Sequence, residues 1–183
     1  VLVDTGHHLQ GCNIEHIVTT LLDEGMLGGF HFNDRKYADD DLTLGAIDPY
    51  AVFRIFSEIA QYAFDTGKTP KLAYVIDQSH NLKPKIEAMV QTVGDAQRLF
   101  AKAQLVDRKA LARAQAKGDI IAAEGLLRTA YETDVRDVVA DWRISHDLPA
   151  DPLDELRASG IIKKLGEQRA AARKARGEVQ ASS

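Results

Sequence analysis

The sequence predicts an α/β fold, the last three β/α units of a (β/α)8 TIM barrel over residues 1–107, followed by an α-helical extension over residues 108–176. Three short apolar runs are typical of strands that are buried on both faces, and amphipathic stretches lie between them. Strand–helix alternation of this kind indicates a parallel sheet. Residues 177–183 are expected to form a disordered tail.

Each apolar run ends in residues that are able to bind a metal. The runs read LVDTGHH (Leu2–His8), GGFHFND (Gly28–Asp34) and LAYVIDQSH (Leu72–His80). In an α/β barrel the side chains at the carboxyl ends of successive strands, and the loops that follow, build the site. We therefore expect the Asp and His residues of these three runs to converge.

Capping signals bound the two helices between the strands, from Asn13 to Gly25 and from Asp48 to Gly67. The remaining helices are predicted over residues 84–105, 108–117, 119–142, 153–158 and 161–176. Residues 34–47, between the second strand and the second long helix, form a longer connection than is usual. Long ordered loops in compact domains are usually functional.

Composition and charge narrow the class of protein. The chain has 183 residues, 45% of them apolar, and a net charge of −4. Residues 1–82 hold 12 acidic and five basic residues, and the basic stretch 163–176 contains no aromatic residue, so we expect no nucleic-acid partner. The single Cys12 excludes an intrachain disulfide and favours a reducing cytoplasmic location. No apolar run approaches the ~18 residues of a membrane span.

The acidic and imidazole groups predict a metal centre. Asp4 and His7 flank a strand-to-loop corner, and Asp39 and Asp41 form a D-x-D pair that is suited to one divalent ion. Any one of these residues is more often structural, but a coincidence of six is harder to explain without a metal. Oxygen-rich sets with one or two imidazoles favour Mn²⁺, Mg²⁺ or Co²⁺ over a thiolate-type zinc site. The predicted ligands are Asp4, His7, His31, Asp39, Asp41 and Asp77.

The motifs VDTGHH, GGFHFNDRKYADDD and IDQSH resemble those of the L-rhamnose isomerases of the Pseudomonas type, in the xylose-isomerase-like barrel superfamily. The resemblance covers most of residues 1–107. It implies a homotetrameric enzyme that binds two Mn²⁺ ions, with Co²⁺, Mg²⁺ or Zn²⁺ as other possible metals. The implied reaction converts an aldose into a ketose, L-rhamnose into L-rhamnulose in the first place, by a metal-assisted 1,2-hydride shift.

The resemblance also implies a role for each residue. Asp4 would bridge both ions, His31 and Asp77 would hold the first ion and contact the substrate, and the second ion would be held by His7, Asp39 and Asp41. Asp77 would also take part in moving the hydroxyl proton, with Ser79 nearby. His80 either lines the sugar pocket or caps the following helix.

The family has further site residues, a Glu, a Lys and a His, in its amino half, and this chain does not contain them. The chain begins at Val1, inside a strand pattern, so we expect it to be the carboxyl part of a longer protein and to be weakly active or inactive alone. The preferred aldose stays open among L-rhamnose, L-mannose, L-lyxose and D-allose.

Two other functions are compatible with the sequence. A metal-dependent epimerase or hydrolase on the same barrel is one, although an epimerase would need a pair of Glu bases at strand ends that this chain does not show. The other is a non-catalytic helical assembly module, because about half of the chain is predicted to be helical. That interpretation leaves the six converging ligands unexplained.

Overall fold

The computed structural model describes residues 1–79 and 82–176. Its strands are β1 (Leu2–Asp4), β2 (Gly29–Phe32) and β3 (Ala73–Ile76). Its helices are α1 (Ile14–Asp23), α2 (Pro49–Thr66), α3 (Lys85–Gln104), α4 (Arg108–Ala116), α5 (Ile120–Glu132), α6 (Arg136–Ser145), α7 (Pro152–Ala158) and α8 (Ile161–Ala175).

The three strands form one parallel sheet in the order β1-β2-β3. Helices α1 and α2 provide the connections that parallel strands require. Asp4 lies opposite His31 in the register of β1 with β2, so two predicted ligands are neighbours across the sheet. Glycine is needed at position 29, because a Cβ there would lie 2.4 Å from the carbonyl oxygen of Ala73.

One face of the sheet packs against the helices. Phe30 of β2 is fully buried, and the ring of Phe32 lies 5.5 Å from the ring of Phe56 on α2. Because side chains alternate along a strand, Asp4 and His31 lie on the opposite face. The core therefore fixes the position of β2 without occupying the face that carries the predicted ligands.

The capping signals at the start of the first two helices are confirmed. The side chain of Asn13 accepts a hydrogen bond of 2.9 Å from the N–H of His16, and that of Asp48 accepts one of 2.9 Å from the N–H of Ala51. Gly67 ends α2 with a φ of 67°, a left-handed conformation that favours glycine. These caps set the ends of the loops that carry the predicted ligands.

The helix that was predicted over residues 119–142 is broken. Helix α5 ends at Glu132, and Thr133 has an extended backbone with φ −63° and ψ 131°. The carboxylate of Asp134 then accepts a hydrogen bond of 3.0 Å from the N–H of Arg136, where α6 begins. A short polar side chain that bonds to nearby backbone N–H groups competes with helix continuation, so the helix restarts here.

The prediction of a partial (β/α)8 barrel is wrong. Over the described ranges the chain is 59% helical and has one small, open sheet of three strands. A barrel closes only when the strand number, tilt and stagger agree, and about eight strands are typical. Strand–helix alternation is common to all parallel α/β sheets, and the prediction took this shared pattern for the barrel.

The chain divides into two compact units, Val1–Val139 and Ala140–Ser183. In the second unit, α7 is capped by Asp151, whose carboxylate accepts from the N–H of Leu153 and of Asp154 at 3.0 Å each. The boundary predicted after residue 107 stays a prediction, and the tail 177–183 lies outside the described residues. Among the helices of residues 1–79 and 82–176, none contains an apolar stretch of the length that a membrane span requires.

Phe53 gives a direct test of the core. Its side chain is fully buried, and its ring lies 5.4 Å from that of Tyr131. We expect Phe53→Ala to lower the free energy of unfolding by about 3–5 kcal/mol, because the lost contacts leave a cavity. Urea denaturation followed by circular dichroism measures the change. The control is Phe64→Ala on the exposed side of α2, and equal effects of the two substitutions would contradict this core.

Candidate metal centre

Three of the predicted ligands meet at the carboxyl ends of the strands. Asp4 ends β1, His31 belongs to β2 and Asp77 follows β3. His31 Nδ1 lies 3.3 Å from Asp4 Oδ2 and 3.2 Å from Asp77 Oδ2. One potential ligand atom from each residue lies within 4.8 Å of the other two. We call these three residues the strand-end triad.

The other three predicted ligands form a second group. His7 belongs to the loop 5–13 after β1, and Asp39 and Asp41 belong to the loop 34–47, here called the acidic loop. His7 Nε2 lies 3.0 Å from Asp39 Oδ1, and the three potential ligand atoms again lie within 4.8 Å of one another. The side chains of His7 and Asp39 are 51% and 58% exposed. We call this group the loop triad.

Asp4 connects the two triads. Its Oδ2 lies 3.3 Å from Nδ1 of His31 and 3.4 Å from Nδ1 of His7. This oxygen is buried and accepts no hydrogen bond from the part of the chain that the structure describes. A buried carboxylate oxygen without a hydrogen bond is unfavourable unless a cation or another partner compensates it. The residues around Asp4 therefore fit a bound cation, and each triad has a side chain close to this carboxylate oxygen.

A buried hydrogen-bond network orients Asp4. Its Oδ1 accepts from the N–H of Gly6 and from Asn33 Nδ2, each at 3.1 Å. Asn33 is almost fully buried, and its N–H donates to Thr5 Oγ1 at 3.0 Å while Thr5 Oγ1 donates to the Asn33 carbonyl at 2.7 Å. These bonds leave Oδ2 of Asp4 directed toward the two imidazoles.

The sequence pattern did not indicate the roles of Thr5 and Asn33 in this network. A Cβ at position 6 would lie 2.3 Å from Asn33 Oδ1, so only glycine allows this close approach. The signal for Asn33 was present, because a polar residue that directly follows a buried strand must find partners at the strand end. In the sequence Asn33 lies between two predicted ligands, His31 and Asp39.

The acidic loop presents Asp41 in an unusual backbone conformation. Its φ of 45° lies in the left-handed region, which Asp and Asn tolerate better than most residues. The N–H of Ser79 donates to the carbonyl of Asp41 at 2.8 Å, so the segment after β3 holds this residue. Ser79 therefore lies beside the loop triad and is exposed, and its role near the substrate stays a prediction. His80 lies outside the described residues.

The carboxylates of the two triads repel one another. Burial raises the pKa of Asp41 above its ordinary value, and the negative charges of Asp39 and Asp77 raise it further. A raised carboxyl pKa means that the ionised form is disfavoured in this surrounding. A divalent cation would reverse the effect, because it converts mutual repulsion into shared attraction.

The donor set limits the choice of metal. Together the triads offer four carboxylates and two imidazoles, and they contain no thiolate. Hard oxygen donors with a few imidazoles suit Mn²⁺, Mg²⁺ or Co²⁺. Metal binding itself stays a prediction, but the structure brings together all six residues that the sequence selected.

Two curated relatives are similar to nearly all of this chain. One is named a probable sugar isomerase of Rhizobium meliloti, and the other is named a probable sugar isomerase of Mesorhizobium japonicum. Each is 42% identical over 170 residues, which cover 93% of this chain. The chain spans only 40% of the length of either relative. No protein-family profile matches the chain.

The repulsion at Asp41 leads to a prediction for Asp41→Asn. We expect this substitution to raise the melting temperature of the metal-free chain at neutral pH, because it removes a charge that the folded state disfavours. Folding raises the pKa of Asp41 above its ordinary value of 3.8, so the folded carboxyl protonates before the unfolded one. The gain should therefore fade as the pH falls through the raised pKa toward 3.8. Asparagine also tolerates the left-handed backbone.

With Mn²⁺ present, we expect the wild type rather than Asp41→Asn to have the higher melting temperature. The rise in melting temperature that Mn²⁺ causes should be smaller in Asp41→Asn than in the wild type, because the loop triad has lost an anionic ligand. Differential scanning fluorimetry measures both effects, and Asp65→Asn on α2 is the control. An unchanged response to Mn²⁺ would remove Asp41 from the ligand set.

Proposed function

We propose that this chain supplies six ligands to the two-ion metal centre of a sugar isomerase that converts an aldose into a ketose. The observation that carries the proposal is the pair of triads around Oδ2 of Asp4, a buried oxygen that accepts no hydrogen bond from the described residues. Similarity to two probable sugar isomerases supports the reaction class. The resemblance of three motifs to L-rhamnose isomerases supports L-rhamnose as the first substrate to test, and a homotetramer as the assembly.

Each triad has a separate part in this proposal. Asp4, His31 and Asp77 would hold one Mn²⁺-class ion, and the loop triad would hold the second. Asp4 would help to hold both ions, because its Oδ2 lies within 3.4 Å of an imidazole nitrogen from each triad. When bound, the ions supply Lewis-acid polarisation of the two reacting sugar oxygens.

The reaction needs no external oxidant or reductant. The C2–H bond breaks and its hydride moves to C1, while the proton on the C2 oxygen moves to the C1 oxygen. The product therefore has a carbonyl at C2 and a hydroxyl at C1. This chain has to bind the two oxygens, keep C1 and C2 aligned, and carry one proton over a short distance.

In this proposal Asp77 would carry that proton. Its carboxylate is 49% exposed at the strand ends, and its Oδ2 lies 3.2 Å from His31 Nδ1. Its backbone N–H donates to the carbonyl of Phe32 at 3.0 Å, which fixes its position relative to the sheet. A carboxylate held in this way acts as a general base toward a hydroxyl and then returns the proton to the neighbouring oxygen. Ser79, two residues later, would contact the substrate hydroxyls.

The decisive experiment is ketose formation from a panel of aldoses. The panel includes L-rhamnose, L-mannose, L-lyxose and D-allose, and each sugar is assayed after chelation, with and without added Mn²⁺. The 183-residue chain and the product of the complete gene are assayed side by side. Metal-dependent conversion of L-rhamnose supports the proposal. If the metal binds and no aldose reacts, the triads serve other chemistry.

Asp39→Ala tests the loop triad in catalysis. We expect turnover by the product of the complete gene to fall by more than about 100-fold, because loss of a direct ligand exceeds the usual effect of a residue behind the ligands. Circular dichroism should stay unchanged, since this side chain is exposed. Asp65→Ala is the matched control. Full activity of Asp39→Ala would exclude this residue as a ligand.

A further inference from the structure

The loop triad is assembled from two separate loops, which other residues hold together. Gln10 lies in the same loop as His7, and its Nε2 donates to the carbonyls of Lys36 and Tyr37 in the acidic loop at 3.0 and 2.9 Å. In the reverse direction, the guanidinium of Arg35 donates to the carbonyl of Leu9 at 2.6 Å. These bonds join the loop that carries His7 to the loop that carries the aspartates.

Asp40 lies between Asp39 and Asp41 in the acidic loop, but its carboxylate has different partners from theirs. Asp40 turns its carboxylate onto its own loop, where Oδ2 accepts from the N–H of Lys36 at 2.7 Å, of Tyr37 at 2.8 Å and of Ala38 at 3.3 Å. These three backbone donors lower the pKa of Asp40. The turn that these three hydrogen bonds close directly precedes Asp39. The carboxylate of Asp40 therefore stabilises the conformation of the loop next to this predicted ligand.

The base of the acidic loop is closed separately. The carboxylate of Asp34 accepts from the N–H of Arg35 at 2.8 Å, and from the N–H of Ile47 and of Asp48 at 2.8 and 3.0 Å. Backbone bonds between Asp34 and Leu42 add a short bridge. Because both ends of the loop are held in this way, Gln10 and Asp40 act on its tip.

We propose that Gln10 and Asp40 are positioning residues, which hold Asp39 and Asp41 against His7 and so control the second ion without binding it. The inference rests on the proposed function, because it concerns the same metal centre. Among the described residues, the side-chain hydrogen bonds of Gln10 and Asp40 go to the acidic loop. The strand-end triad is held instead by the sheet register and by the bonds of Asn33. Loss of either residue should therefore weaken the binding of the second ion and leave the binding of the first unchanged.

Four variants of the full chain separate positioning from charge. Asp40→Ala and Asp40→Asn both remove the negative charge, but only asparagine keeps a side-chain oxygen that accepts from the loop amides. Gln10→Ala removes the bridge between the loops. Gln61→Ala is its control, because Gln61 lies on α2 and its side chain bonds to Asp65 and to Arg108, not to a residue of either loop.

The first measurement needs no metal. Amide hydrogen exchange of the metal-free chain reports the protection of residues 36–41. Protection should fall about tenfold or more in Asp40→Ala, which loses the acceptor of three amides, and less in Asp40→Asn. It should also fall in Gln10→Ala and stay unchanged in Gln61→Ala. Wild-type protection in both Asp40→Ala and Gln10→Ala would overturn the proposal.

The second measurement counts the ions. Titration with Mn²⁺, followed by the electron paramagnetic resonance of the free ion, gives the two dissociation constants. In Asp40→Ala and Gln10→Ala the dissociation constant of the more weakly bound ion should rise about tenfold. The dissociation constant of the more tightly bound ion should stay within about twofold of the wild-type value. Asp40→Asn should lie closer to the wild type. Equal weakening of both ions, or of neither, would overturn the assigned role.

The two measurements also separate this inference from the proposed function. If the wild type binds no Mn²⁺, the proposed function and the role toward the second ion both fail, whatever the exchange data show. If the wild type binds two ions and the variants bind them unchanged, the proposed function stands and the positioning role fails.

Discussion

Parallel pairing of β2 with both of its neighbours is the interaction on which the rest of the candidate centre depends. It places Asp4 opposite His31, and it places Asp77 directly after the strand that pairs on the other side. A slip of one residue would turn every side chain of a strand to the other face of the sheet. The buried Phe30 and Phe32 prevent such a slip, because a slip would expose both rings. Apolar burial on one face thus determines the polar geometry on the other.

The two triads are held by different kinds of interaction. The strand-end triad is fixed by backbone ladders and by the buried side chain of Asn33, which cost little further ordering once the sheet has formed. The loop triad depends on side chains at the surface, where water competes for every hydrogen bond. The two triads are therefore held in different ways, although Oδ2 of Asp4 lies close to a histidine of each.

Much of this organisation was predictable from the sequence. Strand positions, helix caps and the convergence of the six candidate ligands follow from local patterns, because apolar runs and capping residues act over a few neighbouring positions. The closed barrel was predicted wrongly, since alternation of strands and helices does not specify how many strands a sheet contains. The break at Thr133 was missed because helical periodicity continues across it. The bonds of Thr5, Asn33 and Gln10 were also missed, since partners more than 20 residues apart leave no periodic signal.

Cys12 gives this arrangement a practical consequence. It is the single cysteine of the chain, it is exposed, and it lies two residues after Gln10 in the loop that carries His7. A thiol-reactive fluorophore or spin label would thus attach at one defined point without any engineered cysteine. Its N–H donates to the carbonyl of Leu9 at 3.1 Å, and the same carbonyl accepts from Arg35. The chain therefore carries a natural attachment point for a spectroscopic reporter beside the contact between its two ligand-bearing loops.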